Sequence, residues 1–167
     1  TPQTLLYDKG RQLFGLHLAK EAIRQEDVAV IVEGNLDVIS SHQAGVRQVV
    51  AAAGTALTEH HLKSLSRLTN NVALAFDGDK AGIAATERAI DIAQALGVRL
   101  TIVSLPGNAK DPDELIQEDP QLWRDAIAAA QPVVDWVIAR YQELFDITTA
   151  DGKRELTSRA LAVVKKL

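Results

Sequence analysis

Four short apolar runs alternate with polar, periodic segments along the first part of the chain. The runs cover residues 28–33, 47–52, 71–76 and 98–106, and each has the length of a strand. Most of their apolar residues are consecutive rather than alternating, which is typical of parallel strands that are covered by helices on both faces. The pattern therefore predicts an α/β fold with a mainly parallel sheet.

Apolar side chains recur at helical spacing between these runs and after them. Helices are predicted over residues 9–24, 36–44, 58–68 and 81–96, and from about residue 119 onwards the pattern is wholly helical. Thr58 is expected to cap the start of its helix, and Gly45 to end the helix before it. Helices flanking a sheet, followed by a helical segment, are the expected architecture.

Acidic residues lie where three of the predicted strands end. They are Glu33 and Asp37 after the first strand, Asp77 and Asp79 after the third, and Asp111 and Asp113 after the fourth. Ligands of open parallel sheets bind beyond the carboxyl ends of the strands, so these carboxylates are expected in one region. Carboxylates this close repel each other unless a cation lies between them. Oxygen ligands favour Mg²⁺ or Mn²⁺ over zinc, which makes this edge of the sheet a candidate metal site.

Each acidic motif also has a simpler explanation when it is taken alone. "FDGDKAG" at 76–82 is compatible with a solvated turn, because Asp and Gly are common turn residues. "VEGNLD" at 32–37 is compatible with a helix start in which an acid favours the helix dipole. "DPDEL" at 111–115 is compatible with a helix start that has proline in its first turn. The occurrence of all three at strand ends favours the metal site.

The charge of the chain is acidic, but its distribution changes the interpretation. The formal net charge is −4, and without the six acids of the candidate site it would be +2. The remaining surface is therefore mildly basic, and a polyanionic substrate is acceptable. Flanking cations that face such a substrate are expected at Lys9, Arg11, Lys80 and Lys110.

Residue types that are missing exclude several classes of site. The chain has no cysteine, so it has neither disulfides nor a thiolate zinc site, and its four histidines lack metal-ligand spacing. The adjacent His60 and His61 are expected on a helix surface. No apolar run approaches the roughly 20 residues of a membrane span, and no signal peptide is evident, so no membrane partner and an intracellular location are expected. The absence of methionine, even at position 1, indicates a piece of a longer chain.

Several motifs together resemble one known family. "VEGNLDV", "AAGT", "NNVALAFDGDKAG" and "DPDELI" occur in this order and at these intervals as in the TOPRIM domain of bacterial DnaG-type DNA primases. The segments "LLYDKGRQLFGLHLAKEAI" and "DGKRELTSRALAVV" resemble the flanking parts of the same core, so the resemblance covers nearly the whole chain. A glutamate followed by D-x-D is shared with topoisomerases, RecR-type repair proteins and OLD-type nucleases, whereas the full combination is far more specific for primases.

The resemblance implies an enzyme that makes RNA primers for DNA replication by metal-dependent nucleotidyl transfer. It implies a TOPRIM domain at 28–118, a lead-in segment of the polymerase core at 1–27 and a truncated helical subdomain at 119–167. The implied catalytic residues are Glu33, Asp37, Asp77 and Asp79. The implied metal ligands are these four together with Asp111 and Asp113. The implied nucleotide or template contacts are Lys9, Arg11 and Lys80.

Its implied partners are Mg²⁺ or Mn²⁺, ribonucleoside triphosphates, a single-stranded DNA template and, in the full-length protein, a replicative helicase. The implied location is the bacterial cytoplasm, at replication forks in the nucleoid. The zinc-binding domain, the first part of the polymerase core and the helicase-binding domain of the family have no counterpart here, so weak activity or none is expected. Asn35 stands in a segment, "EGNLD", where the family commonly has an aromatic residue and a methionine. A TOPRIM-type nuclease and a non-catalytic recombination or repair scaffold are the alternatives.

Overall fold

A computed structural model describes residues 8–75, 80–107 and 109–165. The strands of its sheet are β1 (Ala29–Val32), β2 (Val49–Ala51), β3 (Asn71–Ala75), β4 (Arg99–Ile102) and β5 (Gln131–Pro132). They lie in the order β2-β1-β3-β4-β5. The strands β1 to β4 are parallel to their neighbours, which confirms the predicted α/β fold with a mainly parallel sheet.

The two-residue strand β5 was not predicted from the sequence. It pairs antiparallel with β4 at the edge of the sheet. Two residues are too few to show a periodicity, and Pro132 is tolerated there because an edge strand need not donate every backbone N–H.

Helices cover both faces of the sheet. They are α1 (Leu16–Glu26), α2 (Asn35–Gln43), α3 (Glu59–Leu65), α4 (Lys80–Leu96), α5 (Pro112–Glu118), α6 (Pro120–Ala128), α7 (Val133–Leu144) and α8 (Ala150–Val164). Across the described ranges, none of these helices is long and apolar enough to cross a membrane.

Two apolar clusters divide the helices between the faces of the sheet. One cluster joins Ile31 of β1 to buried side chains of α1, α3, α4 and α7. The other joins Val30 and Val32 of β1 to buried side chains of α2, α5 and α6. Successive strand residues point to opposite faces, so both sets of β1 side chains are buried and the run reads as continuously apolar.

The predicted helix over 9–24 is shorter in the structure and is preceded by a separate turn. Lys9–Arg11 form one turn of 3₁₀-helix, and Phe14 then pairs with Ala51 through N···O distances of 2.8 and 3.1 Å. Gly15 follows with a φ of +79°, and a Cβ there would lie 2.7 Å from Cγ1 of Val38. Because this backbone is left-handed and tightly packed, α1 begins only after it.

The register of the sheet brings the acid-bearing strand ends together. Val32 is paired with Ala51 on one side and with Ala75 on the other. At the opposite end of β1, Asp27 accepts hydrogen bonds from the Thr69 hydroxyl and from the Asn71 side-chain amide, which hold the start of β3 beside the start of β1. The residues that follow β1 and β3 therefore leave the sheet at the same carboxyl edge.

Candidate active site

A cleft of about 300 Å³ opens at the carboxyl edge of the sheet. It is lined by Glu33, Gly34, Asp37, Ala75, Leu105, Lys110, Asp111 and Pro112. Three of the predicted acids and one of the expected cations therefore share a single cleft. Asp77 and Asp79 lie outside the described residues, and the chain leads to them from Ala75 in the cleft wall.

Asp37 is held in the cleft wall by the first turn of α2. Its side chain is only 6% exposed, and its Oδ2 accepts a hydrogen bond of 2.9 Å from the backbone N–H of Gly34. An acid at the third helical position commonly reaches back to the residue before the helix in this way. The carboxylate has a fixed orientation as a result.

Glycine is required at position 34 because the Asp37 carboxylate lies so close to its Cα, and not because of its backbone dihedral angles. Its φ of −101° suits any residue, but a Cβ at this position would lie 2.9 Å from Oδ2 of Asp37. A side chain here would push the carboxylate away from the backbone N–H. Gly34 was not among the predicted site residues, although it stands between a strand-ending glutamate and a predicted helix.

Burial and neighbouring acids both act on the protonation of Asp37. Burial raises the pKa of this carboxyl above its ordinary value, and the hydrogen bond from Gly34 works in the opposite direction. The negative charge of Asp111 raises the pKa further, whereas the backbone of Asp113 lowers the pKa by hydrogen bonding and so outweighs the effect of that residue's own charge. The carboxylate of Asp37 therefore lies in a region of negative potential, where a cation is favoured.

The two acids after β4 organise the start of α5. Asp111 caps this helix, with its Oδ1 accepting a 2.8 Å hydrogen bond from the N–H of Glu114. The Asp113 carboxylate accepts hydrogen bonds from the Ser40 hydroxyl and, at 2.8 Å, from the Gln117 amide. Asp113 thus ties α5 to α2, and Ser40 is a supporting residue that the sequence did not indicate.

The side chains that the structure describes do not form a metal site on their own. Within residues 8–75, 80–107 and 109–165, no three acidic or histidine side chains come close enough to hold a metal ion by themselves. The donors that line the cleft are carboxylates, the ligand type that Mg²⁺ and Mn²⁺ prefer. This donor set and the raised pKa of Asp37 fit a hard divalent cation.

Of the predicted nucleotide or template contacts, Lys9 and Arg11 are not among the described residues that line the cleft. Lys9 and Arg11 belong to the 3₁₀ turn, which lies next to the start of α3 and close to the Phe14–Ala51 pairing at the end of β2. The turn is therefore at the carboxyl edge of the sheet, to one side of the cleft. Lys80 is the first residue of α4, and its side chain is outside the described part of the structure.

His61 is buried, which contradicts the expectation that both histidines lie on a helix surface. It is 0% exposed, whereas His60 is exposed. Its Nδ1 accepts from the N–H of Thr58 at 3.3 Å, so its Nε2 carries the proton and donates to the carbonyl of Lys9 at 2.9 Å. The helical pattern did not reveal this role, because the partner carbonyl lies more than fifty residues earlier in the chain.

We expect the stability of the protein to fall as the pH drops below about 6.5, because burial lowers the pKa of His61 from that ordinary value. Below that pH, His61 is protonated in the unfolded chain but still neutral in the folded chain. Stability therefore continues to fall until the pH reaches the pKa of His61 in the folded state. A protonated ring would also lose the hydrogen bond that Nδ1 accepts from Thr58. Urea denaturation between pH 5 and 8 measures the effect.

In His61→Gln this part of the pH dependence should disappear, and in the matched variant His60→Gln it should remain. Equal pH dependence in the parent and in His61→Gln would show that His61 is not its source.

The chain is similar to known proteins of one family. Residues 30–116 match the family described as Toprim-like. The chain is 38% identical to a DNA primase of Synechococcus elongatus, in an alignment that covers 100% of the chain and 25% of that primase. It spans about a quarter of the length of the curated relatives it matches.

Solved structures agree with this relationship. The RNA polymerase domain of Mycobacterium tuberculosis primase DnaG superposes with a TM-score of 0.86 and 33% identity, over 100% of the chain and 54% of that domain. A DnaG primase catalytic domain bound to single-stranded DNA superposes with a TM-score of 0.82 and 32% identity, over 99% of the chain and 55% of that domain. The chain belongs to the bacterial DnaG-type DNA primase family and corresponds to the Toprim-containing part of its catalytic core.

Proposed function

We propose that this chain provides the acidic active site of an enzyme that joins ribonucleotides into a primer on a single-stranded DNA template. The observation that carries the proposal is the cleft at the carboxyl edge of the sheet, where Glu33, Asp37 and Asp111 converge beside Lys110. Family membership supports the substrate class, since one of the related structures is bound to single-stranded DNA.

The proposed metal ligands are the six acids at the ends of β1, β3 and β4, namely Glu33, Asp37, Asp77, Asp79, Asp111 and Asp113. Bound Mg²⁺ or Mn²⁺ would supply charge neutralisation for a triphosphate and would activate the attacking hydroxyl group. The carboxylates position the cations, and no protein nucleophile is needed.

The other residues of the site have roles that follow from their positions. Gly34 orients the carboxylate of Asp37 through its backbone N–H. Lys110 is a cation in the cleft wall and is proposed to face the phosphates of the incoming nucleotide. Lys9, Arg11 and Lys80 are proposed as nucleotide or template contacts around the cleft, and a replicative helicase is the proposed partner of the whole enzyme.

Divalent metal should stabilise the folded chain, because it binds the converging carboxylates of the folded state in preference to the unfolded state. We expect millimolar Mn²⁺ to raise the melting temperature, and we expect Asp77→Ala combined with Asp79→Ala to abolish the rise. Differential scanning fluorimetry with and without Mn²⁺ measures both results.

The matched control neutralises an acid outside the cleft. Asp125 on α6 is exposed and accepts a hydrogen bond from Gln121, so Asp125→Asn should respond to Mn²⁺ like the parent. A normal Mn²⁺ response in the double variant would remove Asp77 and Asp79 from the site. Degradation of DNA in Mn²⁺ without added nucleotides would favour a nuclease over a primase.

A further inference from the structure

A second cleft, of about 310 Å³, lies between α1 and α3. It is lined by Leu16, Lys20, Arg24, Ser64, Arg67 and Leu68, which we call the basic groove. The helices α1 and α3 cover the face of the sheet opposite to α2 and α5, which carry Asp37 and Asp113. The basic groove is therefore separate from the acidic cleft.

The basic groove concentrates positive charge in an acidic protein. The described residues of its lining include three cations and no Asp or Glu, although the whole chain has a net charge of −4. In the parts of the chain that the structure describes, Lys20 and Arg67 form neither an ion pair nor a side-chain hydrogen bond. Arg24 pairs with Glu21 at 3.6 Å, and both side chains are more than half exposed. An exposed pair of this kind is weak and readily exchanged for another anion.

The chemistry of the lining suits phosphate groups rather than bases. None of the described side chains that line the basic groove is aromatic, so they offer no surface on which a base could stack. The Ser64 hydroxyl donates its proton to the carbonyl of His60 at 2.8 Å, which leaves the arginine and lysine groups as the polar donors of the lining. Recognition here would depend on charge and not on base identity.

The arrangement of the cations suits a strand better than a single nucleotide. Lys20 and Arg24 are one helical turn apart on α1, a rise of about 6 Å along the helix axis. This is similar to the separation of successive phosphates in a nucleic-acid strand. Arg67 lies just beyond α3 on the opposite side of the groove, so the charges are spread along and across it instead of surrounding one point.

We propose that Lys20, Arg24 and Arg67 form a second nucleic-acid contact, which holds the phosphate backbone of single-stranded DNA away from the acidic cleft. The proposal rests on the proposed primase function for the type of ligand. Its residues take no part in metal binding, so the two ideas can fail separately.

The test is binding of a fluorescently labelled single-stranded oligonucleotide of mixed sequence, followed by anisotropy at several salt concentrations. The variant K20Q/R24Q/R67Q should bind at least about 10-fold more weakly at low salt. Its slope of log affinity against log salt should be smaller by about 2, because three phosphate contacts on a single strand are lost. All three side chains are exposed, so the variant should keep the melting temperature of the parent.

The matched control is R88Q/K153Q/R154Q, which removes the same charge from exposed positions outside the basic groove. It should keep the salt slope of the parent and most of the affinity. An equal loss of affinity in both variants would overturn the proposal, because net charge alone would explain it. Displacement of the strand by ATP in the parent, with reduced ATP affinity in K20Q/R24Q/R67Q, would also overturn it in favour of a nucleotide pocket.

The same variants separate this proposal from the proposed function. K20Q/R24Q/R67Q should keep the Mn²⁺-dependent rise in melting temperature, and Asp77→Ala with Asp79→Ala should keep strand binding. One further outcome is that K20Q/R24Q/R67Q weakens strand binding while Mn²⁺ does not raise the melting temperature of the parent. That result would support the basic groove and would count against the metal site.

Discussion

Asp37→Asn should lower primer synthesis by about 100-fold or more in the longer enzyme, the scale of loss found when one electrostatic group of an active site is removed. The folded state should lose nothing, because the asparagine oxygen can still accept the hydrogen bond from Gly34. Burial and the negative charge of Asp111 raise the pKa of Asp37, so a neutral side chain should leave stability unchanged or higher at pH 7. Primer synthesis assays test the expected loss of activity, and urea denaturation of the same variant tests the expected retention of stability.

The combination of lost activity and retained stability distinguishes a ligand from a structural residue. Asp125→Asn, in the exposed face of α6, is the control and should change neither quantity. Unchanged primer synthesis in Asp37→Asn would exclude Asp37 from the reaction. A marked loss of stability would show instead that its charge supports the fold.

Trp123→Ala should lower the free energy of unfolding by about 3–5 kcal/mol, the usual cost of removing a large aromatic side chain from a core. Trp123 is 0% exposed, and its Nε1 donates a 3.1 Å hydrogen bond to the hydroxyl of the equally buried Ser41. The substitution leaves a cavity and also removes the donor from Ser41. Urea denaturation measures the loss.

Trp123→Phe together with Ser41→Ala is the control, because it keeps most of the apolar volume and leaves no donor or acceptor unpaired. This double variant should cost much less than Trp123→Ala. A loss below about 1 kcal/mol in Trp123→Ala would mean that α6 contributes little to the core that supports α2.

The parallel strands were predictable because burial on both faces leaves a strong sequence pattern. Each of β1 to β4 falls inside an apolar run of strand length. The turn at Lys9–Arg11 was not predictable in the same way, since its backbone carbonyls accept hydrogen bonds from Thr58 and His61, about fifty residues further along the chain. The strand β5 is defined entirely by its pairing with β4.

The candidate site was predictable to a similar extent. Glu33, Asp37 and Asp111 line one cleft, as expected for acids that follow parallel strands. The contributions of Gly34 and Ser40 depend on distances between atoms that no spacing rule specifies. The same holds for His61, whose helical position looks like that of its exposed neighbour.

The parallel pairing of β1 with β3 has a consequence for how the protein folds. The paired residues Ala29 and Val72 are roughly forty residues apart in the chain, and β2 with α2 and α3 lies between them. Pairs so distant in sequence carry a loop-closure cost that local helices do not, and they form later than local helices. A chain emerging from the ribosome therefore contains Glu33 and Asp37 well before β3 is available to pair with β1. The acidic cleft, whose wall includes Ala75 and Asp111, therefore needs the pairing of β1 with strands that come much later in the chain.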